Sequence, residues 1–353
     1  MRKAPVHFPC EETQAPEVFI QEGRVIVATL ISTKSASMKT LAFFTSFATW
    51  LLCLTVLVTS QLNPDSASTP AGSAGCISTE GEEGKILDCS SATDVAQIKN
   101  FVEKLTFDKF KMVENAYIDH LPAGVLGKLR VRAIEVVSCP SLTEVDGDFL
   151  GASNETVFVI FLGYNALTRV PALKAEGLLA LDLFGNPLEK IAREDFQGIG
   201  NLQSLILPPV PVEILAFHSL TSLRTLAVPF LATSLDTAFP GSFSFNSLHL
   251  QEVFFPGSDF QYLLPGVFEG FIPGSKLVME SYNLTSPSVL FNLLSRGARL
   301  EFTSSITCGC QQAWIRLSPF LSQTSISCVT EGGQTLLQDM DESEFTSCYV
   351  NSL

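Results

Sequence analysis

The amino-acid sequence predicts an α/β solenoid of about eight repeats that ends in a disulfide-bonded cap on each side. Three observations lead to this fold class. An apolar template recurs through the middle of the chain, cysteine groups flank the repeated region, and an apolar leader directs the chain to an oxidising compartment. With 353 residues, 46% of them hydrophobic, the chain is long enough to bury a substantial core.

The template has apolar residues at its first, fourth and sixth positions, then Asn or Cys at the ninth, then another apolar residue. Four segments fit it: FDKFKMVENAYI, VRAIEVVSCPSL, VFVIFLGYNAL and LLALDLFGNPL, with Asn115, Cys139, Asn165 and Asn186 at the ninth position. Later units keep the apolar positions but lose the polar one. The units start at residues 107, 131, 157, 178, 202, 223, 250 and 274, which are 21 to 27 residues apart.

This pattern resembles the leucine-rich repeat family, whose period is 20–29 residues. In such a unit a short strand buries alternate residues, and stacked units bury a continuous core. The Asn side chain bonds the backbone of the adjacent turn. The resemblance therefore implies a leucine-rich repeat horseshoe. The alternative is chance, because apolar residues are abundant here, but four units with Asn or Cys at one position argue against it.

The cysteines predict how the two ends are covered. Cys76 and Cys89 precede the repeats and form the natural N-terminal pair. Cys308 and Cys310 follow the last strand, with Trp314 nearby, and resemble the C-terminal cap of the family. That resemblance implies the disulfides Cys308–Cys328 and Cys310–Cys348, although four cysteines by themselves allow three connectivities. Cys139 is left as a buried free thiol at the ninth template position of its repeat, where other repeats have Asn.

The N-terminal region predicts export. Leu41–Val58 is an uncharged apolar run behind Met38, which is typical of a secretory signal peptide cleaved after Ser60. An uncleaved signal anchor is the alternative. Asn154 and Asn283 begin N-glycosylation triplets. The predicted organisation is: residues 1–37, a disordered gene-model extension; 38–60, the leader; 61–75, a linker; 76–106, the N-terminal cap; 107–299, the repeats; 300–353, the C-terminal cap.

Several function classes are disfavoured. The formal net charge of −14 repels nucleic acid. Zinc at Cys308 and Cys310 is disfavoured by their spacing and by export. Cys139 lacks the exposed, electropositive surroundings of a nucleophile. We therefore predict no catalytic residues, no metal, no cofactor and no enzymatic activity.

The outward strand residues predict a binding face. In the repeat frame they are charged at both ends of the solenoid and apolar in the middle, which suggests a surface for a protein partner or an apolar ligand. The alternative is that the later repeats are out of register and these side chains belong to the core. The predicted contact residues are Phe161, Tyr164, Phe184, Ile206, Phe230 and Phe254.

A narrower resemblance covers residues 85–205. The order of the leader, LDCSSATDVAQIKNFV, LPAGVLGKLRVRAIEVVSCPSLTEVDGDFL and LTRVPAL is similar to secreted arthropod leucine-rich repeat proteins, including the non-catalytic subunit of the Oplophorus-luciferin 2-monooxygenase type. This resemblance implies a secreted, non-enzymatic accessory or recognition subunit. The alternatives are a membrane-tethered, receptor-like or innate-immune recognition protein, and a luciferase-associated subunit of a monooxygenase complex.

Overall fold

The computed structural model describes residues 18–21, 24–27, 75–81, 84–101, 106–228, 239–260, 263–282 and 288–350. It divides into two compact units, Met1–Asp65 and Ser66–Leu353. In the first, β1 (Val18–Gln21) and β2 (Arg24–Val27) form an antiparallel hairpin. The predicted leader, most of the linker, Phe230 and Asn283 lie outside the described residues. None of the described helices is long and apolar enough to cross a membrane.

The second unit is built on a sheet of twelve strands. Its first two strands form an antiparallel hairpin, and every later pairing is parallel. The strands of this sheet are β3 (Ile77–Gly81), β4 (Gly84–Asp88), β5 (Lys109–Val113), β7 (Ala133–Val137), β9 (Val159–Phe161), β10 (Ala180–Asp182), β11 (Ser204–Ile206), β12 (Thr225–Ala227), β14 (Glu252–Phe260), β16 (Lys276–Tyr282), β17 (Arg299–Phe302) and β19 (Thr324–Ser325).

The opposite side carries short segments that close each coil. Two-stranded parallel sheets form from β6 (His120–Leu121) with β8 (Glu144–Val145), and from β13 (Phe243–Ser244) with β15 (Phe268–Glu269). The helices are α1 (Val95–Phe101), α2 (Ser288–Ser295), α3 (Ala313–Arg316) and α4 (Ser343–Val350). The 3-10 turns are Gly151–Glu155, Cys310–Gln312, Pro319–Gln323 and Leu337–Asp339.

The strand register matches the repeat frame read from the sequence. The residue at the fourth template position points inward in each of eight units, and every one of these side chains is buried: Phe110, Ile134, Ile160, Leu181, Leu205, Leu226, Val253 and Leu277. Neighbouring members of this series pair in register across the sheet. The predicted capped solenoid of leucine-rich repeats is therefore confirmed.

A polar ladder joins the first four repeats. The Asn165 amide donates to the carbonyls of Val136 and Leu162, each at 2.8 Å. The Asn186 amide donates to Leu162 at 2.7 Å and to Leu183 at 2.8 Å. These bonds satisfy carbonyls that would otherwise be buried without a partner.

The backbone turns sharply before each ladder residue. Glu114, Ser138, Tyr164 and Gly185 immediately precede the four ladder positions, and their φ angles of 55°, 57°, 56° and 74° lie in the left-handed region. This conformation is uncommon for residues with a Cβ. Its recurrence in four consecutive units shows that it belongs to the repeat.

A phenylalanine spine fills the coils of the later repeats. Phe217 stacks on Phe196 and on Phe243, with ring centroids 6.1 Å apart in both pairs. Phe243 continues to Phe268 at 6.0 Å and meets Phe255 edge-on at 4.9 Å. Each large ring buries enough apolar surface to hold neighbouring coils together.

Both ends of the sheet are closed by disulfides. Cys76–Cys89 bridges the two ends of the N-terminal hairpin, since Cys76 precedes β3 and Cys89 follows β4. Cys308–Cys328 and Cys310–Cys348 are the pairs that the resemblance implied at the other end. Trp314 packs half-buried against the core there. Strand β18 (Ile306–Thr307) leads into this cap and pairs with β20 (Ser327–Thr330), which also pairs with β21 (Gly333–Leu336).

Candidate functional site

The outward-pointing residues of the main sheet form one continuous column. Strand pairing aligns the fifth template position of each repeat with that of its neighbours, so that one side chain per strand stands beside the next. We call this set the central column: Asp88, Lys111, Glu135, Phe161, Asp182, Ile206, Ala227, Phe254, Val278, Glu301 and Ser325.

Charged residues occupy both ends of this face, and they are paired within the protein. In each case a lysine ammonium meets a carboxylate on a neighbouring strand. The pairs are Lys111–Asp88 at 3.6 Å, Lys109–Glu135 at 2.7 Å, Lys276–Glu252 at 3.0 Å and Lys276–Glu301 at 3.2 Å. The ends of the face are therefore electrostatically balanced, and its middle is apolar apart from one acid.

The structure brings two of the predicted contact residues into contact, and it places a third on the strand that precedes them. Phe161 ends β9, and Tyr164 and Phe184 lie in the turns after β9 and β10. The rings of Tyr164 and Phe184 meet edge-on with centroids 5.3 Å apart. Tyr164 is 41% exposed, whereas Phe161 and Phe184 are half-buried. We call these three residues the aromatic patch.

The other predicted contact residues lie apart from this patch. Phe254 is half-buried further along the central column. Ile206 belongs to the column but is only 6% exposed, so it offers a partner little surface. Its neighbours in the column are Asp182 on β10 and Ala227 on β12. Phe230 lies outside the described residues.

A glycine positions the tyrosine of the aromatic patch. Gly185 has a φ of +74°, and a Cβ built on it would lie 2.7 Å from Cδ1 of Tyr164. The Tyr164 ring therefore rests directly on the Gly185 backbone. The equivalent left-handed positions Glu114 and Ser138 carry side chains, so the absence of one at Gly185 is particular to this repeat.

Asp182 is the one carboxylate in the apolar middle of the column. Its column neighbours are Phe161 and Ile206. The backbone N–H of Phe184 donates to its Oδ1 at 2.8 Å. Burial raises the pKa of this carboxyl to about 6, because an apolar environment disfavours the charged form. Sequence reasoning placed Asp182 in the column but did not single it out. The usable signal was a lone acid between two apolar column neighbours.

The turns beside the aromatic patch form a shallow, open depression of about 370 Å³. Phe184, Pro187, Pro208 and Pro209 line most of it, together with Val210. Pockets for small molecules usually enclose most of the ligand surface. An open depression of this kind suits a side chain presented from another protein surface.

Another group of chemically capable side chains lies on β6 and β8. His120, Glu144 and Asp146 place possible ligand atoms within 4.8 Å of one another. His120 Nε2 lies 3.1 Å from Asp146 Oδ1, and the Arg169 guanidinium donates to Glu144. The contact with His120 lowers the pKa of Asp146. Because Arg169 already neutralises Glu144, we interpret the group as a surface ion network.

Cys139 occupies a ladder position as a free, buried thiol. Its sulfur lies 3.5 Å from the carbonyls of Met112 and Val137, and its backbone N–H donates to Asn165 Oδ1 at 2.8 Å. Burial raises the pKa of the thiol, which disfavours the reactive thiolate. Cys139 therefore has the environment of a structural residue.

No family model matches this chain, and no curated protein matches its sequence. Solved structures do resemble it in fold. Human 5T4 (Wnt-activated inhibitory factor 1, trophoblast glycoprotein) has 14% sequence identity and a TM-score of 0.44, with 79% of this chain and 99% of that chain covered. The protein in a TLR13–ssRNA13 complex has 19% identity and a TM-score of 0.47, with 71% and 42% covered.

A chain of the LRIM1/APL1C complex has 16% identity and a TM-score of 0.39, covering 67% of this chain and 47% of that one. This chain thus spans less than half of the TLR13 and LRIM1/APL1C chains, but nearly all of the 5T4 chain. The repeat register, the ladder and the two caps of this chain describe its fold: a capped leucine-rich repeat solenoid.

Proposed function

We propose that this chain is a secreted, non-enzymatic recognition protein that binds a protein partner on the concave face of its main sheet, which is the face that carries the central column. The observation that carries this proposal is the aromatic patch. A sheet face in contact with water alone is normally polar, yet here Tyr164 is 41% exposed beside two half-buried phenylalanines. Aromatic residues of this kind are enriched where proteins bind one another.

The shape of the face favours a protein over a small apolar ligand. The depression beside Phe184 is shallow and open, whereas small ligands are usually held in enclosed pockets. The self-contained ion pairs at both ends of the column leave the apolar middle as the surface that association would bury. Burial of such a surface supplies binding energy, and the polar rim limits wrong pairings.

Export is supported by the cysteine arrangement and by Asn154. Six cysteines form three disulfides, which persist in oxidising compartments. Asn154 is exposed in the Gly151–Glu155 turn, away from the strands of the concave face. A glycan there would leave the aromatic patch open. N-terminal sequencing of the expressed protein tests cleavage: a start at Gln61 supports a secreted chain, and retention of Leu41–Val58 supports a membrane-tethered one.

Selection from a random peptide library displayed on phage tests the binding face. Peptides selected on the wild-type chain should lose at least roughly tenfold in affinity, about 1.4 kcal/mol, against the double variant Tyr164→Ala/Phe184→Ala. Tyr117→Ala is the matched control, because Tyr117 is a 67% exposed tyrosine outside the patch. Circular dichroism and the melting temperature report whether each variant folds.

The face is not the binding surface if the selected peptides bind the double variant and the wild type equally, or if the library yields no binders at all. A double variant that fails to secrete would mark Phe184 as core. In that case Tyr164→Ala alone, at the more exposed ring, decides whether the patch binds.

A further inference from the structure

The central column contains two aspartates in the same local backbone geometry. Asp88 Oδ1 accepts a hydrogen bond at 2.9 Å from the backbone N–H of Ser90, two residues on. Asp182 Oδ1 accepts one at 2.8 Å from the backbone N–H of Phe184, also two residues on. This turn is a common structural use of aspartate. By itself it assigns no function to either residue.

The two aspartates differ in what the next strand offers. The column neighbour of Asp88 on β5 is Lys111, whose ammonium lies 3.6 Å from Asp88 Oδ2. The column neighbour of Asp182 on β11 is Ile206. Among the side chains that the structure describes, none with a positive charge lies within 4.0 Å of Asp182. Asp182 therefore has the backbone bond of Asp88 but lacks its cation.

The surroundings of Asp182 make its charge costly without a cation beside it. Phe161 lies on one side of it in the column and Ile206 on the other. Its carboxylate oxygens lie 3.7 and 3.8 Å from the point where a side chain of Gly163 would begin, and the Phe184 carbonyl oxygen lies 3.2 Å from the same point. A carboxylate held among apolar groups is costly unless it is paired.

The aromatic side chains near Asp182 are also suited to binding a cation. The rings of Tyr164 and Phe184 meet edge-on. Burial raises the pKa of Tyr164, and the nearby charge of Asp182 raises it further. Lysine and arginine side chains bind over aromatic faces and pair with carboxylates, and both interactions strengthen when water is excluded.

We propose that Asp182, Phe161, Tyr164 and Phe184 form a subsite that binds one lysine or arginine side chain of the protein partner, between apolar residues of that partner. This inference rests on the proposed function, because it specifies which chemistry the concave face recognises. The acidic chain, with a formal net charge of −14, favours a cationic segment over an acidic one.

The peptides selected on the wild-type chain at pH 7.5 provide the probe. The subsite predicts that they carry a lysine or arginine flanked by apolar residues. Asp182→Asn keeps the acceptor for Phe184 N–H but removes the charge, so it should weaken these peptides at least roughly tenfold. Asp88→Asn is the matched control, since it makes the same change in the same turn outside the aromatic patch, and it should leave affinity within about twofold.

A double-mutant cycle separates direct contact from a structural effect. In the cycle, the peptide cation is replaced by norleucine and Asp182 by Asn. If the cation contacts Asp182, the two losses are strongly non-additive, because either change alone already removes the pair. If Asp182 only shapes the turn, the losses multiply.

A second variant supplies the cation from within the protein. Ile206→Lys places an ammonium at the column position that Lys111 occupies beside Asp88. It should fill the subsite and reduce binding of the cationic peptides at least roughly tenfold, as Asp182→Asn does. Ile206→Met is its control, because this change keeps an apolar side chain of similar size.

The outcomes distinguish this inference from the proposed function. Peptides that lose affinity for Tyr164→Ala/Phe184→Ala but bind Asp182→Asn as well as the wild type overturn the subsite and leave the binding face intact. Selected peptides without lysine or arginine do the same. Peptides indifferent to Tyr164→Ala/Phe184→Ala, or a library without binders, overturn both.

Discussion

The first four repeats and the later ones hold their coils together by different chemistry. In the first four, a polar residue at the ladder position bonds the backbone of adjacent turns, as Asn186 does to the carbonyls of Leu162 and Leu183. In the next repeat the same position is Val210, which is buried and apolar. From Phe196 onwards, stacked phenylalanines connect one coil to the next.

The difference teaches that the repeat period survives a change in the interaction that maintains it. A ladder specifies the backbone path through directional hydrogen bonds, whereas a spine of rings specifies only the spacing between coils. The aromatic patch lies in the last two ladder repeats, just before the change. Its turns therefore have the fixed backbone that a binding site needs.

The largest expected effect is in the spine. Phe243 is fully buried and contacts the rings of Phe217, Phe255 and Phe268. Phe243→Ala should lower the free energy of unfolding by about 3–5 kcal/mol, because it leaves a cavity between coils. Urea unfolding followed by circular dichroism measures the loss. Phe239→Ala is the matched control at a 58% exposed ring, and an equal loss there would contradict the spine.

The ladder should be the next most sensitive element. Asn186→Ala leaves the carbonyls of Leu162 and Leu183 buried without this donor, so it should cost about 2–4 kcal/mol. Val210→Ala changes the same position one repeat later and loses only apolar contact, at about 1–2 kcal/mol. Urea unfolding compares the two. A loss at Val210 equal to that at Asn186 would mean that the ladder amide contributes no more than packing.

The same contrast explains what the sequence could predict. The period, the strand register and the caps follow from the spacing of apolar residues and cysteines, and the inward series from Phe110 to Leu277 confirms them. The template counted the polar residue as part of a repeat, so the later units looked degraded. In the later repeats Phe243 and Phe268 connect the coils in place of the polar ladder residue. They lie on the short strands opposite the main sheet, and a template centred on the main-sheet strand does not include those positions.

Prediction of the site was limited because the repeat frame gives the direction of a side chain but not its burial or its charged neighbours. The sequence identified Phe161, Tyr164 and Phe184 as outward residues. In the structure Phe161 pairs with Asp182, and the rings of Tyr164 and Phe184 are in contact. It also selected Ile206, which is only 6% exposed in the structure, and a position in the outward column does not report that burial. The repeat frame places Asp182 in the central column. That no cation lies beside it is evident only when its surroundings are compared with those of Asp88.

Asp182 should reduce stability at neutral pH. Its pKa is raised from 3.8 to about 6 in the folded state, so folding favours the protonated form. Well below pH 3.8 both states are protonated and the carboxyl carries no penalty. The penalty grows as the pH rises through 3.8 to about 6 and then stays constant. The shift corresponds to at most about 3 kcal/mol, and partial exposure brings the expectation to about 1–3 kcal/mol.

Asp182→Asn should therefore stabilise the chain at pH 7.5 and have only a small effect at pH 4. Urea unfolding at the two pH values measures the difference between variant and wild type. Asp195, whose pKa is also raised by burial, is present in both proteins and cancels. Asp88→Asn has a lysine partner to lose, so it should not stabilise at either pH. A destabilising Asp182→Asn at pH 7.5 would mean that the carboxylate is already paired.

The smallest expected effect on stability comes from adding a side chain at Gly185, in the turn that supports the aromatic patch. Gly185→Ala and Gly124→Ala both add a Cβ at a left-handed φ, of 74° and 65°, and each should cost about 1 kcal/mol. At Gly124 nothing lies within 4 Å of the new atom, whereas at Gly185 it meets the Tyr164 ring at 2.7 Å. Gly185→Ala should therefore also displace this ring and weaken the selected peptides. Near-UV circular dichroism and peptide affinity measure this second effect, and its absence would mean that the Tyr164 ring does not need the Gly185 backbone as a support.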